Sequence, residues 1–167
     1  MKKAVTVENA LDVKYLHILV FKTEGHWACG QSQKALAAKE ENHDNSRLKF
    51  HAKKRFRLAS LAAKELRKVA EGRLDQYSQV EVEAYVAYIS ANFLIEEKKF
   101  ADALDNLIKA KIVYEKIAHY KDAIEAVIYE EKVAQIDTLI RLCSFNLNGM
   151  LDKKKEDEFI AKRMQGN

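Results

Sequence analysis

No proline occurs anywhere in the 167 residues, and glycine occurs only at Gly25, Gly30, Gly72, Gly149 and Gly166. A typical chain of this length holds roughly 8 prolines and 12 glycines. Both residues punctuate turns, so this chain has few places to reverse tightly. β-Sandwiches, β-barrels and doubly wound sheets need many such places and are excluded on that ground. With 48% hydrophobic residues the chain is also too apolar for disorder. A mostly helical protein remains, long enough for a substantial core.

The apolar spacing predicts six helices. The first runs from about Thr6 to Glu41 as one helix or two collinear ones, with apolar residues from Val7 and Leu11 through Ile18, Phe21 and Trp27 to Leu36. Gly25 and Gly30 fall inside it, and each costs about 1 kcal/mol relative to Ala. They either mark a bend or let another backbone approach. Asn42-His43-Asp44-Asn45-Ser46 is the clearest turn, because Asp, Asn and Ser favour caps over helix interiors. A second helix spans about Ser46 to Glu71, with Gly72 as its left-handed terminator. A third starts at Ser78-Gln79-Val80-Glu81, a capping-box spacing, and reaches about Lys98. A fourth covers about Phe100 to Ala118, and a fifth about Lys121 to Leu147, closed by Gly149. A charged last helix covers about Asp152 to Met164.

Within the third and fourth helices, Ala84–Glu115 resembles one tetratricopeptide repeat, a helix–turn–helix unit. Ala91, Ala103 and Ala110 take the small positions where its helices touch, and Phe100 follows a tight Lys98-Lys99 turn. Ala87 stands in place of the usual Trp, and no proline closes the unit. One repeat cannot bury its own apolar face, so flanking helices must stack on it. The expected fold is therefore all-α, a tetratricopeptide-like antiparallel helix array of the α-solenoid kind. Residues 1–150 form its domain and residues 151–167 a charged helix or tail.

Charge is unevenly placed. Residues 1–73 carry a net +8 and residues 74–167 a net −4. Nine basic residues and a single acidic one, Glu65, lie between Ser46 and Lys68. At 100° per residue, Lys49, Lys53, Arg57, Lys64, Arg67 and Lys68 fall in one arc of about 100°, together with Ser60. Leu48, Ala52, Phe56, Ala59, Ala62, Ala63, Leu66 and Ala70 fill the other side. The helix thus has an apolar face for the core and a cationic face for solvent. A solvated face normally mixes signs, because like charges at i,i+4 repel. Lys49–Lys53–Arg57 and Lys64–Lys68 break that rule, which points to a polyanion that neutralises them; phosphate backbones do so by counterion release. The small, alanine-rich opposite face suits helix packing better than insertion between lipids. Arg55 falls in the apolar arc beside Ala62, Leu66 and Val69, where it either snorkels or pairs with an acidic residue of a neighbouring helix.

Chemistry-bearing motifs are absent. The five histidines form no ligand cluster, and His26 with Cys29 at i,i+3 supplies two ligands at most, fewer than a metal site needs. There is no phosphate-binding glycine loop, HExxH, GxSxG or CxxC. No enzymatic activity, metal or cofactor is expected. Phe56, Tyr85, Tyr88, Phe93, Phe100 and Tyr114 sit at helical spacing and read as core rather than as a base-stacking platform. The two cysteines, Cys29 and Cys143, imply a reducing compartment. No apolar run is long enough to cross a membrane, and the first residues lack a signal-peptide core.

Four segments, in order, resemble the N-terminal RNA-binding domain of the 68-kDa subunit of the eukaryotic signal recognition particle. They are Lys54-Arg55-Phe56-Arg57-Leu58-Ala59-Ser60-Leu61, Glu83-Ala84-Tyr85-Val86-Ala87-Tyr88, Ala103-Leu104 through Lys109–Ala118, and Ile140-Arg141-Leu142-Cys143-Ser144-Phe145-Asn146. In the last, Leu142 and Phe145 replace two tyrosines of the family pattern. The resemblance implies a tetratricopeptide-like domain that binds the particle's RNA near the junction of its S domain, in co-translational targeting to the endoplasmic reticulum. It also implies cytoplasmic residence with a nuclear or nucleolar stage in assembly. Other particle subunits are implied as partners, through a contact region that this chain lacks. In the family an arginine-rich segment with major RNA contacts precedes the position where this chain begins, so a fragment with reduced affinity is expected. The resemblance carries over Lys53, Lys54, Arg55 and Arg57 as RNA-binding residues, whereas Lys49, Lys64, Arg67 and Lys68 come from the helical wheel alone. The alternative reading is a scaffold whose concave face binds an acidic peptide.

Overall fold

A computed structural model describes residues 12–39, 45–148 and 153–166. They form six helices and, among the described residues, no strand: α1 (Val13–Lys39), α2 (Ser46–Ala70), α3 (Gln76–Glu96), α4 (Phe100–Tyr120), α5 (Ala123–Asn148) and α6 (Lys153–Gln165). Consecutive helices from α1 to α5 pack side by side, and α6 returns to lie against α4. This is the expected tetratricopeptide-like array. The flanking helices do stack on the repeat-like pair: one core cluster runs through α2, α3, α4 and α5. The expected start at Thr6, Val7 and Leu11, the turn residues Asn42, His43 and Asp44, the helix end at Glu41, the closing Gly149 and the start of the last helix at Asp152 all lie outside the described residues.

Small residues set how closely these helices approach. Ala59 and Ala63 on α2, Ala84 and Ala91 on α3, and Ala103 and Ala110 on α4 are essentially inaccessible, and all belong to the same core. Leu104, Leu107 and Ile108 of α4 and Ile136 and Ile140 of α5 fill the space between. The α3–α4 turn is as tight as the sequence predicts. Lys99 N–H donates to the Leu94 carbonyl at 2.9 Å and Lys98 N–H to that of Ile95 at 3.0 Å, the paired bonds of a Schellman motif. Lys98 occupies its left-handed position with φ 59°. Gly72, with φ 73°, does the same after α2 as predicted.

Helix starts differ from expectation. α3 begins at Gln76, with extended Asp75 at its N-cap position, so Ser78 lies inside the helix and forms no capping box. The Gln79 side chain instead donates to the Leu74 carbonyl at 2.9 Å, bracing the incoming turn. α5 begins at Ala123, two residues later than the sequence suggests. Asp122 Oδ1 accepts from the Ile124 and Glu125 amides at 3.1 and 2.8 Å and so caps it. Asn45 precedes α2, but its side chain reaches back to the Ala37 carbonyl at 2.5 Å and ties the two ends of the α1–α2 hairpin together.

α1 runs without interruption through both of its inner glycines. A Cβ at Gly25 would meet nothing within 4 Å, whereas one at Gly30 would stand 3.1–3.2 Å from the Phe56 ring. Gly30 thus admits a ring from α2 rather than a neighbouring backbone. Phe56 is 2% exposed, so it has little room to yield. Gly25→Ala is expected to stabilise by up to about 1 kcal/mol through helix propensity. Gly30→Ala is expected to destabilise by about 1–3 kcal/mol through overpacking. Thermal melts of the two variants check this, and stabilisation by both would contradict the packing of Phe56.

Candidate nucleic-acid interface

α2 carries the charge, and its neighbours determine which part of that charge faces solvent. On one side, α1 supplies Lys22, which pairs with Glu65 at 3.0 Å, and His26, whose Nδ1 lies 3.3 Å from Arg55 Nη1. On the other, α3 supplies Ser90, whose hydroxyl lies 3.2 Å from that of Ser60. The Glu83 carboxylate accepts from Arg67 at 3.5 Å, and Glu97, the residue after α3, pairs with Lys53 at 2.7 Å. The exposed crest between these seams consists of Phe50, Lys54, Arg57, Leu61, Lys64 and Lys68. Steps of four, three, four, three and four residues keep them in one row along the helix.

This crest is rotated from the arc that the charge pattern selects. Ser60, toward the Lys49–Arg67 edge of that arc, is buried against α3, so this edge of the arc is a helix–helix seam. Lys53 and Arg67 belong to the seam and are paired. Lys49 is exposed on the same flank, and Lys54, outside the arc, joins the crest. Two apolar crest residues escaped the sequence reading, Phe50 and Leu61, which are 65% and 51% exposed. Their visible signal is spacing: both fall in step with the crest cations. Arg55 stands on the α1 side, half-buried, and its partner is a histidine rather than an acidic residue.

The local electrostatics follow from these contacts. The Lys53 ammonium donates to Glu97 and, with Lys99 and Arg57 nearby, holds that carboxyl below its ordinary range. Both groups are substantially solvated, so the pair orients Lys53 more than it stabilises the fold. Desolvation, then the charges of Arg55 and Lys22, lowers the pKa of His26 from 6.5. Lys49, Lys54, Arg57, Lys64 and Lys68 form no ion pair among the described residues. Nor do the described residues contain a group of three metal-ligating side chains, and no described helix is long and apolar enough to cross a membrane.

The fold and this helix define the class: a tetratricopeptide-like helical array that presents one cationic, partly apolar crest to solvent. The chain belongs to the family described as RNA-binding signal recognition particle 68, whose model matches residues 1–166. That family is one of structural ribonucleoprotein subunits, not enzymes. The signal recognition particle subunit SRP68 of Dictyostelium discoideum is 30% identical over 142 residues, covering 85% of this chain and 23% of that protein. The subunit of the same name from Drosophila melanogaster is 28% identical, with 93% of this chain and 25% of the relative covered. That from Caenorhabditis elegans is 30% identical, with 88% and 24% covered. The chain therefore spans about a quarter of the length of the curated relatives it matches. The solved SRP68-RBD of Chaetomium thermophilum superposes with a TM-score of 0.77 over 95% of this chain and 79% of that one, at 18% identity, and so has the same fold.

The Arg55–His26 contact yields a titration test. A folded-state pKa below the unfolded value means that the unfolded chain binds more protons near that pH. Stability present above pH about 6.5 should therefore fall as pH drops through the unfolded value toward the folded one. Arg55→Ala removes one of the charges lowering the His26 pKa and should move it upward in an NMR titration. An unchanged His26 value would show that Arg55 does not face it.

Proposed function

We propose that this chain is the RNA-gripping domain of a signal recognition particle subunit. It seats the particle's RNA, near the junction of its S domain, on the crest of α2, in co-translational targeting to the endoplasmic reticulum. The grip is made through phosphates, with residues 1–150 as the binding unit and residues 151–167 as a charged appendage. The particle's other subunits are its protein partners, and it resides in the cytoplasm with a nuclear or nucleolar stage in assembly.

One observation carries the reading: Lys49, Lys54, Arg57, Lys64 and Lys68 are exposed along one helix, and none of them forms an ion pair among the described residues. A protein stabilised by mixed charge would pair them; these stay available for an external anion. A row of phosphates fits a row of cations two turns long or more, and releases condensed counterions on binding. Rigid seating of the row on packed helices favours recognition of a folded RNA by shape. Lys53 and Arg67, already paired with Glu97 and Glu83, serve as flanking groups that lend charge to the same field. Arg55, turned toward His26, supports the helix from behind.

The test is a double charge reversal on the crest. Lys54→Glu with Arg57→Glu should weaken binding to signal recognition particle RNA at least tenfold, with the helical circular dichroism spectrum unchanged. Reversal of a distant exposed cation, Lys116→Glu, should change affinity less than twofold. Equal affinities for the crest variant and the parent chain would overturn the assignment. Tighter binding to an acidic peptide than to structured RNA, in direct competition, would favour the scaffold reading instead.

A further inference from the structure

α2 and α4 both flank α3, and the surface between them is a groove one helix wide. Its floor is α3: Val86, Ser90, Phe93 and Leu94 line a cavity of about 210 Å³, with Ser60 at the α2 edge. Lys64 and Arg67 stand on the α2 wall, and Asn106 and Lys109 on the α4 wall. Arg67 is engaged with Glu83, the acidic residue of the groove. Lys64 and Lys109 are exposed and have no ion pair among the described residues. Toward α6 the groove opens into a wider cleft that shares Asn106 and Lys109 and adds Lys162.

These walls and this floor have different chemistry. The walls offer ammonium groups, suited to a phosphodiester. The floor offers the half-buried Phe93 ring and aliphatic carbon, suited to the face of an unstacked base, while the Ser60 and Ser90 hydroxyls beneath it are buried and engaged with each other. An acidic peptide would use the walls but not the aromatic floor. Width adds a restriction. Helices in contact lie about 8–10 Å apart, so a channel spanning one helix admits a single extended strand, whereas a duplex is too wide to enter it and is left to the α2 crest. The cavity is smaller than the roughly 300 Å³ lower bound for drug-sized ligands, which limits the floor to a base-sized group.

From this we infer that the α2–α4 groove holds an unpaired nucleotide of the bound RNA, its phosphate between Lys64 and Lys109 and its base against Phe93. The inference rests on the RNA reading above and adds a second wall to it, contributed by α4, plus a preference for RNA that exposes an unpaired base beside a duplex. Lys64 then has two roles, as the last but one crest cation and as one lip of the groove.

The experiment compares two synthetic RNAs, a blunt, fully paired duplex and the same duplex interrupted by an internal loop of unpaired uridines. The unmodified 167-residue chain should bind the looped RNA about tenfold tighter. Lys109→Glu should abolish that preference and leave duplex affinity within about threefold. Phe93→Leu, which keeps the groove floor apolar, should reduce the preference severalfold; melting curves of both variants confirm that they fold. Equal affinity for the two RNAs, or a preference that survives both substitutions, overturns the groove assignment while leaving duplex binding by the crest intact. Binding to neither RNA overturns the RNA reading itself and the groove with it. Lys109-dependent binding of a polyglutamate peptide, without preference between the RNAs, reassigns the groove to acidic protein segments.

Discussion

The close seating of α2 on α3 through alanine and serine is the contact on which the rest depends. Ser60 of α2 meets Ser90 of α3 with the two hydroxyls 3.2 Å apart, and Ala59 and Ala63 of α2 lie fully buried in the core shared with α3. Without bulky side chains between them, two helices settle at short separation, and each has little freedom to roll about its axis. That restraint decides which α2 residues form the crest. A roll of one residue would carry Lys64 toward the α3 seam and lift Arg55 away from His26. The Phe56 ring, wedged against Gly30 of α1, restrains the same rotation from the other side.

With α2 so held, its charges divide by position rather than by type. Cations at the seams find carboxylates or a histidine: Lys53 with Glu97, Arg67 with Glu83, Arg55 beside His26. Cations on the crest form no ion pair among the described residues, and like charges four apart on a helix destabilise it by roughly 0.2–0.5 kcal/mol per pair. The buried alanines, leucines and isoleucines behind the helix offset that cost many times over. The fold can therefore carry a one-sign surface that an isolated helix would disfavour, and α4 can place Lys109 opposite it across α3.

Much of the architecture was legible in the residues, because its determinants are local. Missing proline, helical spacing and the alanines at 91, 103 and 110 lead to an antiparallel helix array, and Gly72 and the Lys98-Lys99 turn mark ends that the structure keeps. What escaped were choices made by neighbours distant in sequence. A helical wheel drawn from charge alone cannot say where α1 and α3 will lie, so Ser60 read as part of a solvent face and Lys54 as outside it. The partner of Arg55 lies 29 residues away, on a helix whose orientation no local pattern reveals. The capping-box spacing at Ser78 pointed to too late a start for α3, which begins at Gln76 after extended Asp75, where the Gln79 side chain braces the incoming turn. Lys109 is one lysine among many until α4 is placed beside α3.

Salt dependence of RNA affinity tests the central claim most directly, because it counts phosphate contacts. Five unpaired cations on and beside the crest, each neutralising one duplex phosphate, should make log affinity fall against log salt with a slope of about −4 to −5. A slope near zero would contradict a grip made through phosphates.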